Sequence, residues 1–160
     1  MKKIGILFLL VTSAFITQSF AQSGKFGATP EDSVECVRYL NFYKEYYKNG
    51  NIKEALPSWR GALRVCPKGV TQSLYQDGQN IIKFMINQTK DDKYRNELVD
   101  TLMLMYDIRI EKFPATKARL SAYTFKAYDM VTYYKADDMK IFTALQDVVK
   151  FGKEQTDQNI

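Results

Sequence analysis

The sequence predicts an all-α chain of about six helices arranged as antiparallel pairs. Three observations carry this. Apolar residues recur at steps of three and four from residue 31 onward, no segment alternates convincingly with period two, and Gly, Pro and Asp interrupt the pattern at short intervals. The clearest stretch is NFYKEYYKNGNIKEALPSWRGALRVCPKG, residues 41–69. It reads as two helices joined by a sharp turn. Gly50 ends the first helix cheaply and Asn51 is placed to cap the second.

Taken in order, the chain begins with a charged start at Lys2 and Lys3, an apolar run over 4–16, and small residues at Ser19 and Ala21. This is the pattern of a secretory leader cleaved after Ala21. The run is too short for a comfortable membrane span, and no later stretch is long and apolar enough to cross a bilayer. The mature chain is expected to be exported, to the periplasm or outside the cell. Losing Lys2 and Lys3 lowers the net charge from +5 to +3, which is too mild to argue for nucleic acid. Residues 22–30, QSGKFGATP, are Gly-rich and read as a flexible lead.

A first helix is expected over 31–48, with Asp32 or Ser33 as its cap, and a second over 52–65, where Ala55, Trp59, Ala62 and Leu63 share a face. Pro57 is an oddity there, since it removes one intrahelical hydrogen bond. Pro67-Lys68-Gly69 makes a turn. A third helix follows over 71–87, then the polar connection QTKDD with Asp91 or Asp92 as cap, and a fourth helix to Lys112. The fourth carries two adjacent apolar rows, Leu98-Leu102-Met105 and Val99-Met103-Tyr106-Ile110. Such a wide face predicts contact on two sides. Thr116 is expected to cap a fifth helix reaching Lys135, with Leu120, Tyr123, Ala127, Met130, Val131 and Tyr134 on its apolar side. Asp137 or Asp138 is expected to cap a sixth, reaching Phe151, before Gly152 and a polar tail over 153–160. The domain thus spans 31–152, with pairs over 33–69, 71–114 and 116–152.

The first pair resembles the tetratricopeptide repeat (TPR), a roughly 34-residue helix–turn–helix unit with W-x2-L-G-x2-Y, then A-x3-F, then P. Tyr39, Phe42 and Tyr46 stand at the Trp, Leu and Tyr places, Ala55 and Trp59 give A-x3-F, and Pro67 closes. Tyr43 departs, placing a ring where the family has Gly. Leu74, Gly78 and Ile81 resemble the start of a second unit, and Tyr106 with Pro114 its end, about a dozen residues late. Tyr133-Tyr134-Lys135 echoes Tyr46-Tyr47-Lys48, although Phe142 stands where the third unit should have Ala. The resemblance implies a short right-handed TPR-like solenoid whose first helices line a groove for a protein or peptide. It would place Lys44, Tyr47 and Lys48 in that groove from the first helix, Tyr75, Gln79, Ile82 and Lys83 from the third, and Tyr134 and Lys135 from the fifth. Lys48, Lys83 and Lys135 would then form a basic rung suited to an acidic segment. The aromatics Tyr39, Phe42, Tyr46 and Trp59 are expected in the core.

The chain has no His, which excludes Ser-His-Asp and Cys-His nucleophilic sites and every His-ligated metal site. It has no phosphate loop or dinucleotide fingerprint. The acidic pairs at 31–32, 91–92 and 137–138 each precede a helix, where capping accounts for them, and Asp100, Asp107 and Asp129 read as solvated faces. No catalytic residue, metal or cofactor is expected. The favoured reading is a non-enzymatic exported scaffold. A helical part of a larger envelope protein is the alternative, and a carboxylate enzyme stands behind both.

Two expectations concern the ends. Cys36 opens the first helix and Cys66 closes the second, so an antiparallel hairpin brings them side by side, and an exported chain meets oxidising conditions. A Cys36–Cys66 disulfide is expected. The sixth helix carries Met139, Ile141, Phe142, Leu145, Val148, Val149 and Phe151, more than one neighbour can bury. Its apolar surface is expected to be covered by a second subunit or by sequence absent from this chain.

Overall fold

A computed structural model describes residues 23–134 and 137–157. The leader, Lys135 and residues 158–160 lie outside them. Among the described residues there are seven helices and no strand: α1 (Ser23–Phe26), α2 (Pro30–Lys48), α3 (Ile52–Val65), α4 (Gln72–Gln88), α5 (Asp92–Lys112), α6 (Thr116–Tyr133) and α7 (Asp138–Asp157). None is long and apolar enough to cross a membrane. Helices α2 to α7 form three pairs, α2·α3, α4·α5 and α6·α7, and the pairs stack through α3·α4 and α5·α6. Two regions differ from expectation by more than two residues. The lead contains the turn of helix α1, whose Phe26 packs against the core, and α7 runs through Gly152 to Asp157.

Local chemistry explains the breaks. Thr29, rather than Asp32 or Ser33, caps α2. Its hydroxyl accepts from the Asp32 N–H (3.1 Å) while Asp32 accepts from the Thr29 N–H, with Pro30 at the first helical position. At the other end the Asn51 N–H reaches the Tyr46 carbonyl and the Gly50 N–H that of Tyr47, closing the helix with Gly50 at φ 76°. Asn51 occupies the cap position of α3, but its side chain makes no cap bond. The Val70 N–H donates to the Pro67 carbonyl across a turn whose third residue, Gly69, sits at φ 89° as a type II turn requires. Asp91 caps α5, and Asp137 accepts from the Lys140 N–H at the start of α7. Thr116 is the first residue of α6, not its cap. Pro57 is tolerated because it and Lys53, the residue whose carbonyl it leaves without an N–H, are both exposed.

The core runs through the stack. Trp59 is wholly buried, its indole N–H donates to the Leu74 carbonyl at 2.8 Å, and its ring lies where any side chain at position 78 would stand. Gly61 likewise yields its space to the Tyr39 ring. Tyr43, the ring at the family's Gly place, is completely buried, and its hydroxyl donates to Asp77 of the next pair. Phe42 and Tyr46 turn outward instead, so two aromatics expected in the core are on the surface, and Tyr39 is half-buried. The wide face of α5 is buried as expected, between α4 and α6. The extra length of the second pair lies in its helices, of 17 and 21 residues, rather than in a long loop.

Cys36 and Cys66 form a disulfide that joins the start of α2 to the end of α3. Closing a loop with a sequence separation of 30 stabilises by about 3–4 kcal/mol in the chain-entropy model. Replacing both cysteines by Ala is therefore expected to lower unfolding free energy by about that amount. Urea titration of the variant against oxidised wild type reads it, and equal midpoints would show that the pairing adds nothing.

Candidate functional site

The expected groove residues divide sharply. On α2, Lys48 is exposed, and Lys44 and Tyr47 are half-buried. The Tyr47 hydroxyl accepts from Asn80 of α4 at 2.9 Å, and Lys44 lies close enough to favour the charged form of Asp77. Burial is the larger influence on Asp77 and holds its carboxyl above the usual range. On α4, Tyr75, Gln79 and Ile82 are interior, not on a partner-facing surface. The Tyr75 hydroxyl accepts from the Gly69 N–H at 3.1 Å and its ring tilts against Phe113. Gln79 accepts from the guanidinium of Arg109, itself buried, at 3.0 Å. Desolvation lowers the Arg109 pKa. The resemblance would place these three residues in the groove, but they are buried, Gln79 against Arg109 of α5 and Tyr75 beside Phe113.

Lys83 is also committed. Its ammonium lies 3.1 Å from Asp129 of α6, and the same carboxylate oxygen accepts from the Tyr106 hydroxyl at 2.5 Å. Asp129 is only 2% exposed, so its expected place on a solvated face is corrected: it is the centre of a buried polar bridge linking α4, α5 and α6. Asp100 and Asp107 remain on the surface and accept from Tyr134 (2.6 Å) and Lys126 (2.5 Å). Lys48, exposed, and Lys83, ion-paired, therefore do not form a uniform basic row, and Lys135 lies outside the described residues.

Several of these bridges have one spacing. Tyr43–Asp77, Arg60–Tyr94 and Asp100–Tyr134 are each 34 residues apart, and Tyr47–Asn80 is 33. Each joins one pair to another. Such contacts fix neighbouring pairs relative to one another.

Sequence reasoning missed the most exposed apolar group beside this bridge. Phe125 and Tyr128 of α6 are 52% and 68% exposed, and Val131 follows at the same helical spacing with half its surface in water. Val131 was expected on the buried side with Met130. The signal was present: α6 carries large apolar residues on every side, and a helix apolar all round has more than one neighbour to satisfy. Compared with known protein families, with curated proteins and with solved structures, the chain matches none.

The tyrosines give the stack a pH limit. Burial pushes Tyr43 and Tyr106 far above the usual phenol range, and burial with the Asp100 hydrogen bond brings Tyr134 to about 12. These folded-state values lie above the unfolded value of about 10, so their contribution is fully present below that pH and is lost as pH rises through the folded values. Alkaline titration is expected to show Tyr43, Tyr106 and Tyr134 as a late group that ionises together with loss of helix. A single phenolate step with helical circular dichroism intact would contradict this.

Proposed function

We propose that the chain is an exported, non-catalytic TPR-like scaffold that binds a protein or peptide through the outer face of α6. The observation that carries this is the exposed trio Phe125, Tyr128 and Val131 on a helix otherwise anchored by Asp129 and Lys126. Soluble proteins seldom leave contiguous large apolar side chains in water unless something docks on them. Aromatic residues at such a position are also the usual energetic centre of an interface. The disulfide and the leader-like start support export. The 33- and 34-residue bridges support the repeat reading, because each ties one pair to the next at a nearly constant spacing.

The partner expected here presents an apolar helical or extended segment to Phe125 and Tyr128. Lys48 and Lys44, near the far end of the row of first helices, favour acidic residues in it.

The test replaces Phe125 and Tyr128 by Ser. Both are exposed, so the thermal midpoint should hold, while a protein captured by wild type from its own cell envelope should be lost. Recovery of the same proteins by both forms would remove this surface from the interaction.

A further inference from the structure

Inside the stack, the second helix of each pair packs against the first helix of the next: α3 on α4 and α5 on α6. Two helices among the described residues lack that neighbour. One is α7, a second helix with no first helix after it, and the other is α2, a first helix preceded only by the single turn of α1. Both carry apolar stripes on the side away from their own pair. On α7, Ile141, Ala144 and Val148 turn inward, while Phe142, Leu145 and Val149 are 55%, 47% and 70% exposed. On α2, Cys36, Leu40 and Tyr43 turn inward, while Val34, Val37, Phe42 and Tyr46 are exposed over the outer half of the helix, on either side of exposed Arg38, Asn41 and Glu45. The expected excess of apolar surface on the last helix is therefore present, and it has a counterpart at the other end of the stack.

Charge distinguishes the two stripes. The α7 stripe begins near Asp138 and ends at Lys150 and Lys153. The α2 stripe begins at Glu31 and Glu35, with Arg38 beside them, and ends at Lys48. Laid antiparallel, as successive helices of the stack are, α7 sets Lys150 and Lys153 against Glu31 and Glu35, and Asp138 near Lys48. The apolar residues then meet in the middle. Pairing α7 with another α7 would leave the α2 stripe in water.

We propose that this protein associates head to tail with a second copy of itself, α7 of one molecule docking antiparallel on α2 of the next. The contact repeats between molecules the packing that α3·α4 and α5·α6 make within one. Such a heterologous contact leaves a free α2 and a free α7 at the ends of each assembly, so it propagates into short open arrays or closes into a ring. It uses residues separate from the α6 trio.

Sedimentation velocity of the purified protein over a range of concentrations tests it. Wild type should form dimers and larger species that weaken as salt rises. The pair Lys150→Glu and Lys153→Glu should weaken association about tenfold or more, and so should Glu31→Lys with Glu35→Lys. All four substitutions together restore opposite signs and should bring association back near the wild-type level. All four residues are surface side chains, so unchanged thermal midpoints confirm folding. A strictly monomeric wild type overturns the proposal. Association that ignores the α2 substitutions overturns it too, showing α7 paired with α7, as does failure of the fourfold variant to recover.

Discussion

Trp59→Ala is expected to destabilise the chain by about 3–5 kcal/mol. The indole is wholly buried between the first and second pairs, and its loss also removes the N–H that donates to the Leu74 carbonyl. The cavity would be hard to collapse, because Gly78 offers no side chain to fill it. Position 78 gives a sharper test than the magnitude alone. Gly78→Ala in the wild type places a methyl group inside the Trp59 ring and should destabilise. In the Trp59→Ala background the same methyl enters empty space and should be neutral or stabilising. This change of sign marks direct coupling between the two positions. Urea unfolding followed by circular dichroism reads all four proteins, and additive costs would show that the ring does not lie over Gly78.

The second large effect is expected at the buried bridge. Lys83→Met removes the cation facing Asp129 and leaves a carboxylate, 2% exposed, held by the Tyr106 hydroxyl alone. Breaking a buried pair from one side costs about 3–5 kcal/mol, and the partial exposure of Lys83 places this case at the lower end. Replacing the whole group, as Lys83→Met, Tyr106→Phe and Asp129→Leu, should recover most of that loss, because no polar atom of the bridge is then left behind. A single substitution costing less than about 1 kcal/mol would mean that water reaches Asp129 and the bridge is a surface pair. A triple variant no better than the single would mean that the bridge specifies the packing of α4, α5 and α6 beyond its own charge balance.

Much of the fold was legible because it rests on signals local in sequence. Gly50 and Gly69 end segments through a backbone conformation that other residues avoid, and both appear at positive φ. Asp91 caps where its side chain can accept a free N–H. Cys36 and Cys66 meet because an antiparallel pair brings those two ends together. The two apolar rows of α5 announced two neighbours, and it has them in α4 and α6.

The facing of α2 was not legible in the same way. It carries apolar residues at 34, 37, 39, 40, 42, 43, 46 and 47, so periodicity alone offers two faces. The family template chose the one with Phe42 and Tyr46, whereas the structure buries Tyr43 and Leu40. Tyr43 tolerates burial because Asp77 receives its hydroxyl, a partner 34 residues away that no local pattern reveals. Polar residues misled as well. Asp129, expected on a solvated face, and Gln79, expected in the groove, lie on helices, where solvent is the default expectation. Each is buried against a polar group from another helix, Asp129 against Lys83 and Tyr106, and Gln79 against Arg109. Nothing local distinguished Gln79, which is buried, from Asn80 beside it, which is exposed.

The 34-residue bridges also bear on how the chain reaches this structure. Most polar bridges between pairs span 34 residues or fewer, the Lys83–Asp129 pair spans 46, and each helix packs chiefly on its neighbours in sequence. Contact order is accordingly low, and little loop entropy must be lost before a pair begins to stabilise itself. A chain made from its amino end can then fold in that order. The first pair needs nothing from the third, and the Cys36–Cys66 bond can lock it before α6 and α7 have formed.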